Sequence, residues 1–70
     1  MQYAIVNLFD RKVEKEVASE QEAVAHTIGM GGLVVVDRTE KRVYDGEYQT
    51  WSPLQDYCER FPPVAWIASM

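Results

Sequence analysis

Ser19-Glu20-Gln21-Glu22 and Ser52-Pro53-Leu54-Gln55 organise this chain. Each has the form of a helix N-cap. A serine oxygen can accept one of the first orphan backbone N–H groups, and a Glu or Gln three residues on can reach back to the cap. The second copy adds a proline at the first helical position, where a missing N–H costs nothing. The runs around them alternate with the period of two that marks strands. Two short helices among strands specify a small α+β domain.

Upstream of Ser19, residues 2–9 carry Tyr3, Ile5, Val6, Leu8 and Phe9. Apolar groups fall on both faces, as in an interior strand. Asp10-Arg11-Lys12 is a polar turn. Val13 to Val17 reads as an exposed edge strand whose charges discourage pairing with another chain. Ser19 caps a helix through Ile28, with Val24 and Ile28 on its apolar stripe and Ala23 and Thr27 beside them. Gly29 ends that helix by taking the left-handed conformation.

Leu33-Val34-Val35-Val36 is the most β-prone run in the chain. After a polar turn over Asp37 to Lys41, Arg42-Val43-Tyr44 is a natural return strand. Asp45-Gly46 is a hairpin dipeptide, so a further strand is expected over Glu47 to Trp51, with a structured loop as the rival reading. Ser52 then caps a helix in which Leu54, Tyr57, Cys58 and Phe61 fall at i, i+3, i+4 and i+7. Pro62-Pro63 stops it, and Val64 to Ala68 reads as a last strand carrying Trp66 and Ile67. The order ββαββαβ predicts a mostly antiparallel sheet of four to five strands with two short helices on one face. It forms one domain over residues 1–70.

Composition narrows the functional classes. Hydrophobic residues at 47% and charged residues at 26% are globular values that argue against disorder. Cys58 is the single cysteine, so no internal disulfide framework forms and a reducing compartment is favoured. Met1 to Asn7 lacks the basic start of a signal peptide, and no apolar run approaches the roughly 20 residues of a membrane helix. A soluble cytoplasmic protein with no membrane contact is expected. Net charge is −4. After Arg42 the only basic residue is Arg60, against Asp45, Glu47, Asp56 and Glu59. Direct nucleic-acid binding needs a basic patch and is disfavoured. An acidic C-terminal half suits a partner protein with a basic surface.

No motif specifies catalysis. Gly29-Met30-Gly31-Gly32 follows a helix and precedes a strand, the reverse of a phosphate-binding loop. His26 and Cys58 would make a nucleophile pair only if the helices lay side by side. Cys58, between Leu54 and Phe61, reads as a small core residue. No ligand spacing suits zinc or calcium, and no cofactor is expected. Glu14 and Glu16 lie on an open strand face, while Glu20 and Glu22 complement the helix dipole.

Tyr44-Asp45-Gly46-Glu47-Tyr48-Gln49-Thr50-Trp51 is the most suggestive segment. It sets three aromatics and two carboxylates in a turn-rich stretch, and Tyr and Trp are enriched at interface hot spots. The competing reading folds Tyr44 and Trp51 inward to cap a small core. In texture the chain is similar to many small acidic accessory proteins encoded by phages and mobile elements, a likeness of general character that transfers no residue. The expected function is therefore non-enzymatic: an interaction module, an inhibitor or adaptor, that binds a host protein through Tyr44, Asp45, Glu47, Tyr48 and Trp51. Asp56 and Glu59 on the second helix would add acidic steering. Two alternatives stand beside it. One is an acidic nucleic-acid mimic blocking a DNA- or RNA-binding protein. The other is a homo-oligomeric structural subunit, a homodimer paired through the last strand.

Overall fold

Val34-Val35-Val36-Asp37 has no side chain open to solvent, and the architecture is built around that fact. In the computed structural model, which describes residues 1–70, the five strands are β1 (Tyr3–Asn7), β2 (Lys12–Val17), β3 (Leu33–Asp37), β4 (Arg42–Asp45) and β5 (Thr50–Pro53). They form one sheet in the order β2-β1-β3-β4-β5, antiparallel throughout. Helix α1 (Glu20–Thr27) joins β2 to β3. Helix α2 (Leu54–Arg60) follows β5, and a 3₁₀ helix over Pro62–Ser69 closes the chain. The α+β class and the antiparallel sheet read from the sequence both hold.

The placement of the helices differs from expectation. Val34 and Val36 share a face with Ala4, Val6 and Val43, covered by Tyr57 of α2 and Ile67 of the 3₁₀ helix. Val35 shares the other face with Tyr3, Ile5, Val17 and Tyr44, covered by Ala23 of α1. The two helices therefore lie on opposite faces of the sheet. A strand of consecutive valines presents apolar surface on both sides, and burial worth about 25 cal/mol per Å² makes leaving either side wet unfavourable.

Val64 to Ala68 is not a strand but part of the 3₁₀ helix. Both sides of β1, the strand beside which it was expected, are taken by β2 and β3, and the chain emerging from α2 lies over the sheet face, where Ile67 is driven into the core. The C-terminal strand edge through which two copies were expected to pair is consequently absent. Ser52 is also reassigned. It pairs with Val43 inside β5, and its Oγ accepts a hydrogen bond from Arg60 Nη2 at 2.9 Å. Pro53 sits on the edge strand, where it deprives no neighbouring strand of a donor, and α2 begins with no side-chain cap. The Leu54 N–H is satisfied instead by the carbonyl of Lys41 at 2.8 Å. Half of the first capping box forms: Ser19 Oγ accepts from the Glu22 N–H at 3.3 Å, while the Glu22 carboxylate pairs with Lys15 at 3.5 Å instead of reaching back to the cap. Gly29 follows the helix with φ +75°. The buried stripe of α1 is Ala23 and Thr27, whereas Ile28 is 48% exposed.

One turn recurs three times. Asn7 pairs with Lys12, Asp37 with Arg42, and Asp45 with Thr50, each across four loop residues. In every case the Oδ1 of the first residue accepts the backbone N–H groups two and three positions on, at 2.8 to 3.2 Å. The last loop residue, Arg11, Lys41 or Gln49, takes a positive φ between 55° and 58°. These side chains act as local mimics of a backbone turn. The four-residue loop also moves the expected strand at Glu47 to Trp51 onward to Thr50–Pro53. Gly46 is needed for space rather than for its φ. A Cβ there would stand 2.1 Å from the Thr27 carbonyl oxygen and 3.0 Å from those of Leu33 and Met30.

Asp37 is wholly buried and does more than shape its turn. Its Oδ1 also accepts from Gln2 Nε2 at 3.0 Å, and its Oδ2 accepts from Arg42 Nε at 2.9 Å. Arg42 reaches on to Glu20 at the start of α1 and lies 3.9 Å over the Trp51 ring. Burial alone would raise the Asp37 carboxyl, but the Glu40 N–H, the Gln2 amide, the Arg42 guanidinium and the Thr39 N–H together hold it below its ordinary value.

Two outcomes follow from this packing. Gly46→Ala should destabilise the fold by about 3 kcal/mol in denaturant unfolding, because backbone carbonyls cannot move aside. Gly31→Ala, whose Cβ meets open space, should stay within about 0.5 kcal/mol of the parent. A depressed Asp37 contributes stability that is complete above the unfolded value of about 3.9 and is lost as pH falls through its lower folded value. Urea midpoints measured from pH 6 down to pH 2 should therefore fall with acid. Asp37→Asn should be less stable at neutral pH by about 2 kcal/mol and show a flatter acid limb.

Candidate functional site

The β4–β5 hairpin divides the aromatics of the suggestive segment between two sides of the sheet. Tyr44 and Trp51 are cross-strand partners, with ring centroids 5.3 Å apart and planes tilted by 57°. Tyr44 is only 5% exposed and belongs to the core under α1. Trp51 is half-buried beneath the Arg42 guanidinium. These two rings complete the α1 side of the fold.

Tyr48 has the opposite environment. It sits third in the four-residue loop and is 70% exposed. Asp45 anchors that loop through Oδ1, and its Oδ2 accepts a long hydrogen bond of 3.4 Å from the Tyr57 hydroxyl. Burial, reinforced by the Asp45 charge, pushes the Tyr57 phenol up to about 12. Glu47 extends from the same loop and is exposed. Asp56 and Glu59 lie on the outer face of α2, with Gln55 Nε2 donating to Glu59 at 3.1 Å. They border a shallow groove of about 470 Å³ with Trp51 and Arg60. The seven candidate residues thus fall in three places: an inward pair, an exposed turn, and an acidic helix face.

The exposed turn has aromatic neighbours that sequence reasoning placed elsewhere. Phe9 was read as the end of the first strand, yet β1 stops at Asn7 and Phe9 rides on the β1–β2 turn with 83% of its surface exposed. Its ring lies against Gly32, where a Cβ would stand within van der Waals radius of the ring edge. Phe61 was read as the last member of the buried α2 stripe. It is 41% exposed and stacks on Tyr57 with centroids 5.0 Å apart. Phe9, Tyr48 and Phe61 surround a cleft of about 380 Å³ floored by Leu33, Val34 and Val64. Phe9 is lifted by a turn that starts at Asn7, three residues before the one expected at Asp10. Asn7 makes the same side-chain turn as Asp37 and Asp45, and such a turn lifts the residues that follow it out of the sheet.

A second depression of about 670 Å³ runs between α1 and β5, lined by Val24, Ile28, Tyr44 and Trp51. Two of its walls are the inward aromatics Tyr44 and Trp51, which pack into the α1 side of the core.

Other candidate chemistry is dispersed. His26 on α1 and Cys58 on α2 lie on opposite sides of the sheet, so that nucleophile pair is not assembled. Burial pushes the Cys58 thiol up, against a smaller opposing effect from the Ala68 backbone, which keeps it a weak nucleophile. No three His, Cys, Asp or Glu side chains gather as a metal site. No helix is long and apolar enough to cross a membrane. No protein-family model, curated protein or solved structure matches the chain.

The cleft aromatics should be dispensable for folding. Phe9→Ala and Tyr48→Ala are each expected to leave unfolding free energy within about 0.5 kcal/mol of the parent. Ile67→Ala, which empties a wholly buried position, should cost about 3 kcal/mol in the same assay.

Proposed function

We propose that the protein is a non-enzymatic interaction module, an inhibitor or adaptor, that binds another protein through the cleft ringed by Phe9, Tyr48 and Phe61. One observation carries this reading: a chain of only 70 residues, in which a core needs most of its large apolar groups, holds two large aromatics 83% and 70% exposed at the mouth of one apolar depression. Exposed rings gathered this way are what interface hot spots are made of. Two turns fixed by side-chain-to-backbone hydrogen bonds and the end of α2 carry them, so the backbone beneath the rings is set before binding and its ordering does not oppose it.

Acidic residues around the cleft and on α2 would steer a basic partner toward it. The nucleic-acid mimic is the weaker reading. Glu16, Glu20 and Glu22 are engaged by Arg38, Arg42 and Lys15 within the fold, which reduces the number of carboxylates free to imitate phosphates.

Capture from a bacterial lysate with the tagged protein, at low and high salt, tests the proposal. A stoichiometric partner should survive high salt and be lost when Phe9→Ala and Tyr48→Ala are combined, while the double variant keeps the parent's circular dichroism and melting temperature. Retention of the partner by the folded double variant would refute the assignment of the cleft. Collapse of binding with ionic strength alone would move the mimic to the front.

A further inference from the structure

The cleft has a charge character as well as an apolar one. Asp45 and Glu47 stand on its wall beside Tyr48, and no Lys, Arg or His lines it. Asp45 Oδ1 is committed to the turn, and its Oδ2 has only the long contact with the Tyr57 hydroxyl. The Glu47 carboxylate has no hydrogen-bond or ion-pair partner in the fold. Aromatic faces beside free carboxylates form a cation-binding surface, because the ring quadrupole and the carboxylate attract the same positive group.

The molecule displays the complementary arrangement at Trp51 and at the rim of the cleft. Arg42 lies 3.9 Å over the Trp51 ring while its N–H groups bond Asp37 and Glu20. Arg60 lies 5.6 Å over Phe61 and 5.9 Å over Tyr57. Its Nη2 bonds Ser52, which draws the guanidinium toward β5. At the cleft, rings and carboxylates are likewise together. Arg60 borders the adjoining depression on the β5 side of Tyr48 and Phe61, and Phe9, Glu47 and the cleft-facing side of Tyr48 have no guanidinium of this chain against them.

We infer that the cleft receives an arginine side chain of the partner protein, its guanidinium stacked on the exposed rings and paired with Glu47. Arginine suits this site better than lysine. Its planar, weakly hydrated head stacks on an aromatic face while its N–H fork engages a carboxylate edge. The balance of charge supports the choice, since a net −4 chain with an acidic cleft wall favours a cationic anchor. This inference rests on the cleft being the contact surface, and it can be tested with no partner in hand.

The probes are acetyl-argininamide, acetyl-citrullinamide and acetyl-lysinamide, titrated into the isotopically labelled protein and followed by NMR. Citrulline keeps the shape of arginine and removes its charge. Saturable shifts are expected for arginine at the ring protons of Phe9, Tyr48 and Phe61, with citrulline and lysine at least three-fold weaker. Glu47→Gln should lower arginine affinity to the citrulline level, with the backbone spectrum otherwise unchanged. Equal binding of citrulline would overturn the role of charge, and equal binding of lysine would overturn the guanidinium assignment. Arginine shifts scattered over the acidic surface, or none at the cleft rings, would overturn the site itself. A partner captured through the cleft alongside such a failure would leave the binding module standing and remove only its arginine.

Discussion

The central strand Leu33–Asp37 must be covered on both faces, and the rest of the molecule answers that requirement. Val34 and Val36 point one way and Val35 the other. One short helix, α1, closes the Val35 side. On the Val34 and Val36 side, α2 and the 3₁₀ helix act together over the apolar surface that β1, β3 and β4 present. The strand ends in a buried carboxylate rather than in solvent. Asp37 organises the β3–β4 turn and holds Arg42, which in turn ties the start of α1 to the ring of Trp51. A single ionic centre thus connects the core strand, the helix on one face and the edge strand. Because Asp37 is desolvated, its partners must all be present, and removal of any one leaves a buried charge undercompensated.

That arrangement explains which aromatics are free to act. Tyr44, Trp51 and Tyr57 are drawn inward, where each removes a large area from water. Phe9 and Tyr48 are carried on two copies of one turn, at the end of the sheet opposite Asp37. The Asx residue that starts each turn spends its side chain on backbone N–H groups, so the loop residues project without needing to pack. Phe61, at the end of α2, completes the group. A surface made of rigid turn tips and a helix end can be apolar without loosening the fold beneath it.

Much of this was legible in the sequence, and the failures share a physical origin. Local chemistry was readable at the Ser19 cap, the Gly29 stop and the turn after Asp37, whereas the turn expected at Asp10 to Lys12 starts earlier, at Asn7, and Lys12 already belongs to β2. Readings that depended on distant parts of the chain fared worse. Ser52-Pro53 carries a good cap signal, yet Ser52 is held in β5 by pairing with Val43, and the Lys41 carbonyl takes over the first helical N–H. Val64 to Ala68 is apolar throughout, which suits a buried strand and a buried 3₁₀ turn equally. Only the pairing of β1 on both sides, by β2 and β3, and the path of the chain over the sheet face decide between them. The two-sided cover was implicit in the valine run, but periodicity alone does not say which helix goes to which face. Of the candidate site, the exposed turn with Asp45, Glu47 and Tyr48 was legible. Phe9 and Phe61 were hidden, because an apolar residue next to a strand or on a helix stripe reads as core unless the turn or helix end beside it is resolved.

Hydrogen–deuterium exchange on the protein, free and bound to the partner it captures, tests the account most directly. Protection on binding should be confined to three segments that are remote in sequence: the β1–β2 turn around Phe9, the β4–β5 turn around Tyr48, and the α2 end around Phe61. Protection centred instead on α1 and β5, or spread along the outer face of α2, would place the interface elsewhere and contradict the assignment of the aromatic cleft.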